Sequence, residues 1–386
     1  MARLPMNPFE RFMRRRRREW QKLRDLAADL WIFCRQNAHA RKIGLRKARA
    51  LIVFFVPNAT ICNGGLMSIA VLASESRKLN REALVVSVLC PDVKRPALRN
   101  RTFPNEETIL RFSQVCRLTR LEKVVLHIPE YIAARFCGML TQRQIAWARS
   151  VPDLQINIMN QNIQLMPPAD SWRNLFGLAK IVTQTTAHAR YSTQEVCDCY
   201  GIPLHRFSTY SNHAGWPFLP QEKKEKVIAI SPDSRSEKAD VLAEIRTNLS
   251  DYRVVEVQDM TFMEYLCLIS RAMFTISFGE GFDGYFCQPA ACGSVSFAVY
   301  NDEFFPGRDW LKCGNVYTSW QEMTDRIAAD IRHLERDRAA YEAIRKEHLD
   351  LLSRIYSYQD FQGNLRRFYR GEYDFYPSSA NASKFN

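Results

Sequence analysis

The residues with the most chemistry run from Phe278 to Gly284, Phe-Gly-Glu-Gly-Phe-Asp-Gly, and resume at Gln288 with Pro289-Ala290-Ala291-Cys292-Gly293. The carboxylate of Glu280 lies between Gly279 and Gly281, and the amide of Gln288 follows eight residues later. Glycine lets a backbone come close to a ligand. The small residues after the amide can open a helix whose free N–H groups and dipole favour an anion such as phosphate. This is the local chemistry of a nucleotide-sugar pocket. The same residues could also form a strand, a loop and a buried helix in any α/β protein.

Three other groups have candidate side chains. Gly64-Gly65 follows the first strand but lacks the further glycine of a dinucleotide fingerprint, because Leu66 to Leu72 contains none. His127 ends a strand at Leu126-His127-Ile128-Pro129-Glu130, where His or Glu could orient an acceptor hydroxyl. A hydrogen-bonded structural histidine fits that place equally well. Asn160-Gln161-Asn162 follows another strand, and its three amides suit a hydroxyl-rich ligand or a turn.

The elements that must position these residues are α/β. Ala50 to Val56 is wholly apolar and reads as a buried strand, and Met67 to Leu79 has helical periodicity. Ala83–Leu89, Lys123–Ile128, Leu154–Met159 and Lys180–Thr183 are further strands. Residues 211–226, with Gly215, Pro217, Pro220 and a charged run, read as a linker. A second unit follows, with strands Val227–Ile230, Tyr252–Val257, Met273–Ser277, Val295–Tyr300 and Asn315–Thr318, helices Ser236–Leu249 and Thr261–Arg271 between them, and helices from Trp320 to Tyr369. Alternating strands and helices imply parallel sheets. The division is 1–48 (basic helix), 49–215 (first domain), 216–372 (second domain with terminal helices) and 373–386 (flexible tail).

The 386 residues suffice for two cores. Eleven scattered cysteines suggest reduced thiols rather than a disulfide framework, and Cys197-x-Cys199 has no second pair to complete a zinc site. Residues 1–49 hold fifteen Lys/Arg against four Asp/Glu, +11 of the net +13, which leaves +2 for the other 337. The body is therefore no basic nucleic-acid binder. In the basic segment, Phe9, Phe12, Met13, Trp20, Leu23, Ala27, Leu30 and Trp31 recur at helical spacing beside Arg14 to Arg18, Lys22 and Arg24. An anionic membrane surface contacted through residues 9–35 is the expectation. Packing on the body and nucleic acid are the alternatives, the last disfavoured because no stacking platform accompanies the run. The N-terminal run does not read as a secretory signal.

Residues 225–300 resemble the nucleotide-sugar domain of the GT-B glycosyltransferases, especially their large fourth, retaining family; residues 50–212 resemble the fold more loosely. The resemblance rests on Glu280-Gly281-Phe282, on Ala291-Cys292-Gly293, and on Asp259 to Ala272 with Phe274 to Ser277 upstream. It departs at Gln288, where the family has a second glutamate, at Pro289, where its proline is displaced, and at Asp283, where it has glycine. The resemblance implies two Rossmann-like domains facing a central cleft, with the basic helix as an addition. It implies donor binding by Glu280, Gly281, Phe282, Gln288, Gly64 and Gly65, with Glu280 holding sugar hydroxyls, and diphosphate binding by Arg235 and Lys238. The Arg fork and the mobile Lys charge both suit phosphate oxygens. Asp283 serves either the sugar or the turn, the turn being preferred. His127 is the second catalytic candidate, and Asn160, Gln161 and Asn162 are the acceptor candidates.

The function so implied is transfer of a hexose from a UDP- or GDP-linked donor to a lipid-linked or growing glycan, as in bacterial O-antigen or capsule assembly. It would be retaining, would need neither metal nor cofactor, and would act in the cytoplasm on the inner membrane face. The alternative is a catalytically weak GT-B-shaped partner that recruits an assembly complex, which Gln288 favours.

Overall fold

The structure, a computed structural model, describes residues 8–378. The first domain runs α1 (Pro8–Lys42), β1 (Ala50–Val56), α2 (Gly64–Leu79), β2 (Leu84–Leu89), β3 (Ile109–Arg111), α3 (Phe112–Val115), β4 (Lys123–Pro129), α4 (Phe136–Met139), α5 (Gln142–Ser150), β5 (Asp153–Asn160), β6 (Ile181–Thr186), α6 (Gln194–Tyr200) and β7 (Leu204–Arg206). Its strands form one parallel sheet ordered β3-β2-β1-β4-β5-β6-β7. The second runs β8 (Glu225–Ile230), α7 (Lys238–Asn248), β9 (Arg253–Glu256), α8 (Phe262–Arg271), β10 (Ala272–Ile276), α9 (Gly284–Cys287), β11 (Val295–Val299), β12 (Val316–Tyr317), α10 (Trp320–Arg336), α11 (Arg338–Ile355) and α12 (Tyr358–Tyr369). Its parallel sheet is ordered β12-β11-β10-β8-β9.

β1 is central and apolar on both faces because helices cover both. Phe54 packs under α2 with Ile69 and Leu72, while Phe55 packs on the other face with Phe112 and Phe136. Both are fully buried, and truncating either to Ala should cost about 3–5 kcal/mol. In each sheet the strand order reverses beside the first strand, between β1 and β4 and between β8 and β10. Ligands of open α/β sheets bind outside the carboxyl ends at such reversals. The loops after β1, β4, β8 and β10 therefore border the ligand position of this fold.

Two features differ from the sequence reading. β3 and β7 are three-residue edge strands, too short for a period-2 signal. The chain also returns to the first domain at its end. The Tyr369 hydroxyl meets Ser76, Tyr358 donates to Glu75, and the ring of His205 meets the Asn364 carbonyl. The segment assigned as a flexible tail begins ordered, with Phe375 bridging Leu204 and Asp374 accepting from the Arg206 N–H. From residue 379 on it lies outside the described residues.

The C-terminal third of α1 docks on the β3 edge. Gln36, fully buried, donates to the carbonyls of Ala97 and Ile109, and Gln114 donates to Asn37. Farther back Trp20, Leu23, Leu26, Leu30 and Trp31 are 52–69% exposed. The side chains of Phe9, Phe12, Met13 and most of the Arg14–Arg18 run lie outside the described set. Among the described residues, no helix is long and apolar enough to cross a membrane.

Candidate active site

In the second domain the loops after β8 and β10 hold each other in place. The Phe278 N–H donates to Ser231 Oγ at 2.8 Å. Gly279 passes so close to Asp233 that a Cβ would lie 2.7 Å from its carboxylate. Gly281 has φ +82°, and a Cβ there would lie 2.7 Å from the Val299 carbonyl and 2.9 Å from the Phe305 ring. Only glycine satisfies both the dihedral and the space. Phe282 points inward, packed on Phe305 and Trp310, and anchors the loop rather than lining the cleft. Asp283 caps α9: Oδ1 accepts from the Phe286 N–H at 3.0 Å and Oδ2 from the Ser277 hydroxyl at 2.7 Å. Burial raises its carboxyl to about 6, the Ser277 bond opposing.

Glu280 is left free, for its carboxylate hydrogen-bonds to no described residue. Burial, then Asp283, Asp233 and Glu303, raise it to about 7. Gln288 folds back on Gly284, whose Cβ would lie 3.3 Å from its Nε2, and its amide hydrogen-bonds to no described residue.

The basic pair takes part in building the loop. Lys238 spends its three N–H donors on the carbonyls of Ser231 (2.9 Å) and Asp233 (3.1 Å) and on Glu256 (3.3 Å). Arg235 donates Nε to the Phe278 carbonyl at 3.0 Å and Nη2 to that of Gly279 at 3.3 Å, and stacks over Trp320. Its Nη1 has no hydrogen bond to a described residue.

Across the cleft Asn63 caps α2 by accepting from the Leu66 N–H at 2.8 Å. Gly64 faces open space, while Gly65 touches Gln161, which donates to its carbonyl at 3.3 Å. The N-terminus of this sixteen-residue helix therefore presents N–H groups at the first domain's reversal point. Asn162 caps the next short turn and gives its N–H to Glu130, and Asn160 is buried.

His127 is not brought to the cleft. It is fully buried, stacked on Phe54 at 4.3 Å, with Nδ1 3.0 Å from the Asn157 amide and Nε2 3.2 Å from the Tyr369 hydroxyl. Burial lowers its pKa to about 3, so it packs as a neutral ring.

The residues that join the two rims carry no signal in the sequence. Gln164 donates to Glu303 Oε1 at 2.8 Å, and the Tyr191 hydroxyl donates to the Glu303 backbone carbonyl at 3.2 Å. Tyr191 Oη also lies 3.4 Å from Glu303 Oε1, and burial raises this hydroxyl, with the charge of Glu303 and, more weakly, of Glu280 adding to the shift and Arg190 opposing it. Asp233 is likewise outside the sequence reading. Gln164 and Tyr191 lie in single 3-10 turns and Glu303 and Asp233 in loops, all too short for periodicity, and only the turn chemistry of Ser231-Pro232-Asp233 points to one of them. Among the described residues, no three His, Cys, Asp or Glu side chains are grouped to hold a metal.

No family model matches this chain, and no curated protein is significantly similar to it in sequence. Solved structures are similar in fold. Anabaena HepE, solved with UDP and glucose, is 9% identical with a TM-score of 0.51, the match covering 83% of this chain and 99% of that one. The sucrose-phosphate synthase of Thermosynechococcus elongatus is 10% identical with a TM-score of 0.50, covering 84% and 99%. With two parallel-sheet, Rossmann-like domains facing each other, the chain has the GT-B fold.

Proposed function

We propose that this protein is a glycosyltransferase that moves a hexose from a UDP- or GDP-linked donor to a lipid-linked or growing glycan, with retention of anomeric configuration. The observation that carries the reading is the unengaged Glu280 carboxylate, held at a strand-order reversal by Gly281 and facing a first domain that presents the α2 N-terminus. Support also comes from HepE, whose structure holds UDP and glucose.

In this mechanism Glu280 accepts hydrogen bonds from the sugar hydroxyls. The α2 amides and Arg235 Nη1 stabilise negative charge as the bond from the anomeric carbon to the diphosphate oxygen breaks. The acceptor oxygen bonds to the anomeric carbon on the face being vacated, and its proton passes to the departing phosphate. Charge stabilisation comes from the protein, so no metal is needed. Lys238 positions the Asp233 and Phe278 loops rather than touching phosphate.

The exposed Trp20, Leu23, Leu26, Leu30 and Trp31 beside basic residues support contact between α1 and an anionic membrane surface on the cytoplasmic side. A thermal-shift screen of nucleotide sugars tests the function, since a bound donor raises apparent stability by mass action. The hit is then incubated with candidate glycans, and the product anomer is read by NMR. The second reading, a non-catalytic partner, is favoured by the full engagement of Lys238 and by Gln288. Absence of UDP and GDP binding in calorimetry would select it.

A further inference from the structure

Five buried polar atoms at the carboxyl edge of the first sheet have no hydrogen-bond partner: Glu130 Oε2, both amide atoms of Asn160, and both amide atoms of Gln184. Their side chains are 2%, 2% and 0% exposed. The ladders bring them together. Ile128 pairs with Ile158, and Ile158 pairs with Gln184. Two residues beyond Ile158 on the same face is Asn160, and Glu130, just past the end of β4, opens a short 3-10 helix with its Oε1 accepting from the Asn162 N–H. Asn160 and Gln184 are diagonal neighbours on adjacent parallel strands, and Glu130 stands on the other side of Asn160, two strand spacings of about 4.8 Å each from β6.

The other face of the same strands shows what a finished polar network looks like. There Gln155 donates to Thr183, Thr183 to Asn157, and Asn157 to Thr185, with His127 alongside. Native proteins give nearly all buried polar groups a partner. The opposite face is apolar core, with Leu126, Ile128, Ile156, Ile158 and Val182 packed together, so the unpartnered polar atoms at its carboxyl end mark a place for a polar occupant.

The segments above it are the ones that reach the second domain. Gln161 to Leu165 follows Asn160 directly and carries Gln164, while Thr186 leads to Tyr191. Gln164 and Tyr191 both bond to Glu303. The cluster is therefore joined through the backbone, at Asn160 and at Thr186, to the segments that make those cross-domain contacts.

We propose that Glu130, Asn160 and Gln184 form a subsite for the hydroxyls of a neutral sugar, entered when the Gln164 and Tyr191 contacts to Glu303 release. Two amides, each donor and acceptor, and a carboxyl match vicinal hydroxyls. The Glu130 carboxylate disfavours an anionic occupant such as phosphate. Burial raises Glu130 to about 7, so near neutrality it can also donate. Identifying the occupant with the acceptor sugar rests on the glycosyl-transfer reading.

The test is saturation-transfer NMR on the full-length protein with methyl glucoside, galactoside and mannoside, α and β. At least one should receive saturation, and both Gln184→Leu and Glu130→Gln should weaken its binding by about tenfold or more. Gln184→Leu should keep or raise the melting temperature, because it removes unpaired atoms from a core. If Gln184→Leu fails to fold, the isosteric Glu130→Gln decides. No transfer to any hexoside, or transfer unchanged in the variants, overturns the proposal and leaves ordered water as the occupant. UDP and GDP are titrated separately. Hexoside binding without nucleotide binding removes the transferase reading and keeps the subsite, and the reverse pattern removes the subsite alone.

Discussion

Glu280→Gln should make the protein more stable in alkali while sharply lowering its turnover. The carboxyl is raised from its ordinary 4.5 to about 7 by burial and then by Asp283, Asp233 and Glu303. A group that holds its proton more tightly in the folded state contributes stability below the unfolded value, near 4.5. That contribution is lost as pH rises through the folded value, near 7. The shift corresponds to about 3 kcal/mol at full ionisation, and partial solvent access lowers this to about 1–3 kcal/mol. Glutamine keeps the shape and never ionises. At pH 8 the variant should therefore be more stable by about 1–3 kcal/mol, and by pH 5 the difference should fall below about 1 kcal/mol.

Urea unfolding at both pH values measures this, and the transferase assay supplies the second readout. Loss of a group that meets the reacting sugar should lower turnover by about two to three orders of magnitude. Asp283 titrates in both proteins and largely cancels in the difference. Equal stability of the two proteins at pH 8 would show that Glu280 is not held against its charge. Undiminished turnover would remove it from the mechanism, whatever the stability result.

Gly281→Ala should cost about 2–4 kcal/mol and abolish donor binding, because the new methyl meets the Val299 carbonyl at a positive φ; unfolding midpoints check it. Gly64→Ala, facing open space, should change stability by less than about 1 kcal/mol. Lys238→Met should lower stability and nucleotide affinity together while leaving the salt dependence of binding unchanged, as fits a loop anchor. A flatter salt dependence with intact stability would instead make Lys238 a phosphate contact. Turnover should survive EDTA, and a loss restored by Mg²⁺ or Mn²⁺ would assign the diphosphate charge to a cation. The full-length chain should sediment with phosphatidylglycerol vesicles and not with phosphatidylcholine ones, and Trp20→Glu with Trp31→Glu should release it; retained sedimentation refutes the membrane contact. Truncation should stop near residue 30, because removing Gln36 strands the Ala97 and Ile109 carbonyls.

What the sequence disclosed depended on the range of the signal. β1 could be read to the residue because seven apolar residues end at a proline and a two-sided sheet demands that pattern. The Glu280 loop was legible because glycines with steric reasons stand around it. His127 could not be placed, since a polar residue at a strand's end reads the same whether it faces the cleft or lies under Tyr369, more than two hundred residues away in sequence. The same holds for Glu303. Its partners, Gln164 and Tyr191, come from another domain, and no local spacing encodes a contact made by domain packing.

Charge also fixes how a nucleotide sugar would sit here on the proposed reading. Glu303 meets Tyr191, and its charge opposes the ionisation of Glu280, while the cationic and N–H donors are Arg235 and the start of α2. A diphosphate beside two carboxylates would be repelled, and a neutral hexose there would find acceptors for its hydroxyls. The sugar therefore belongs toward Glu280 and the diphosphate toward α2. With Lys238 engaged by the loop, Arg235 Nη1 and the α2 amides are the donors left for the departing charge. Arg235→Lys is the sharper probe of that division, because it keeps the charge but loses the fork that grips Phe278 and Gly279 while reaching outward.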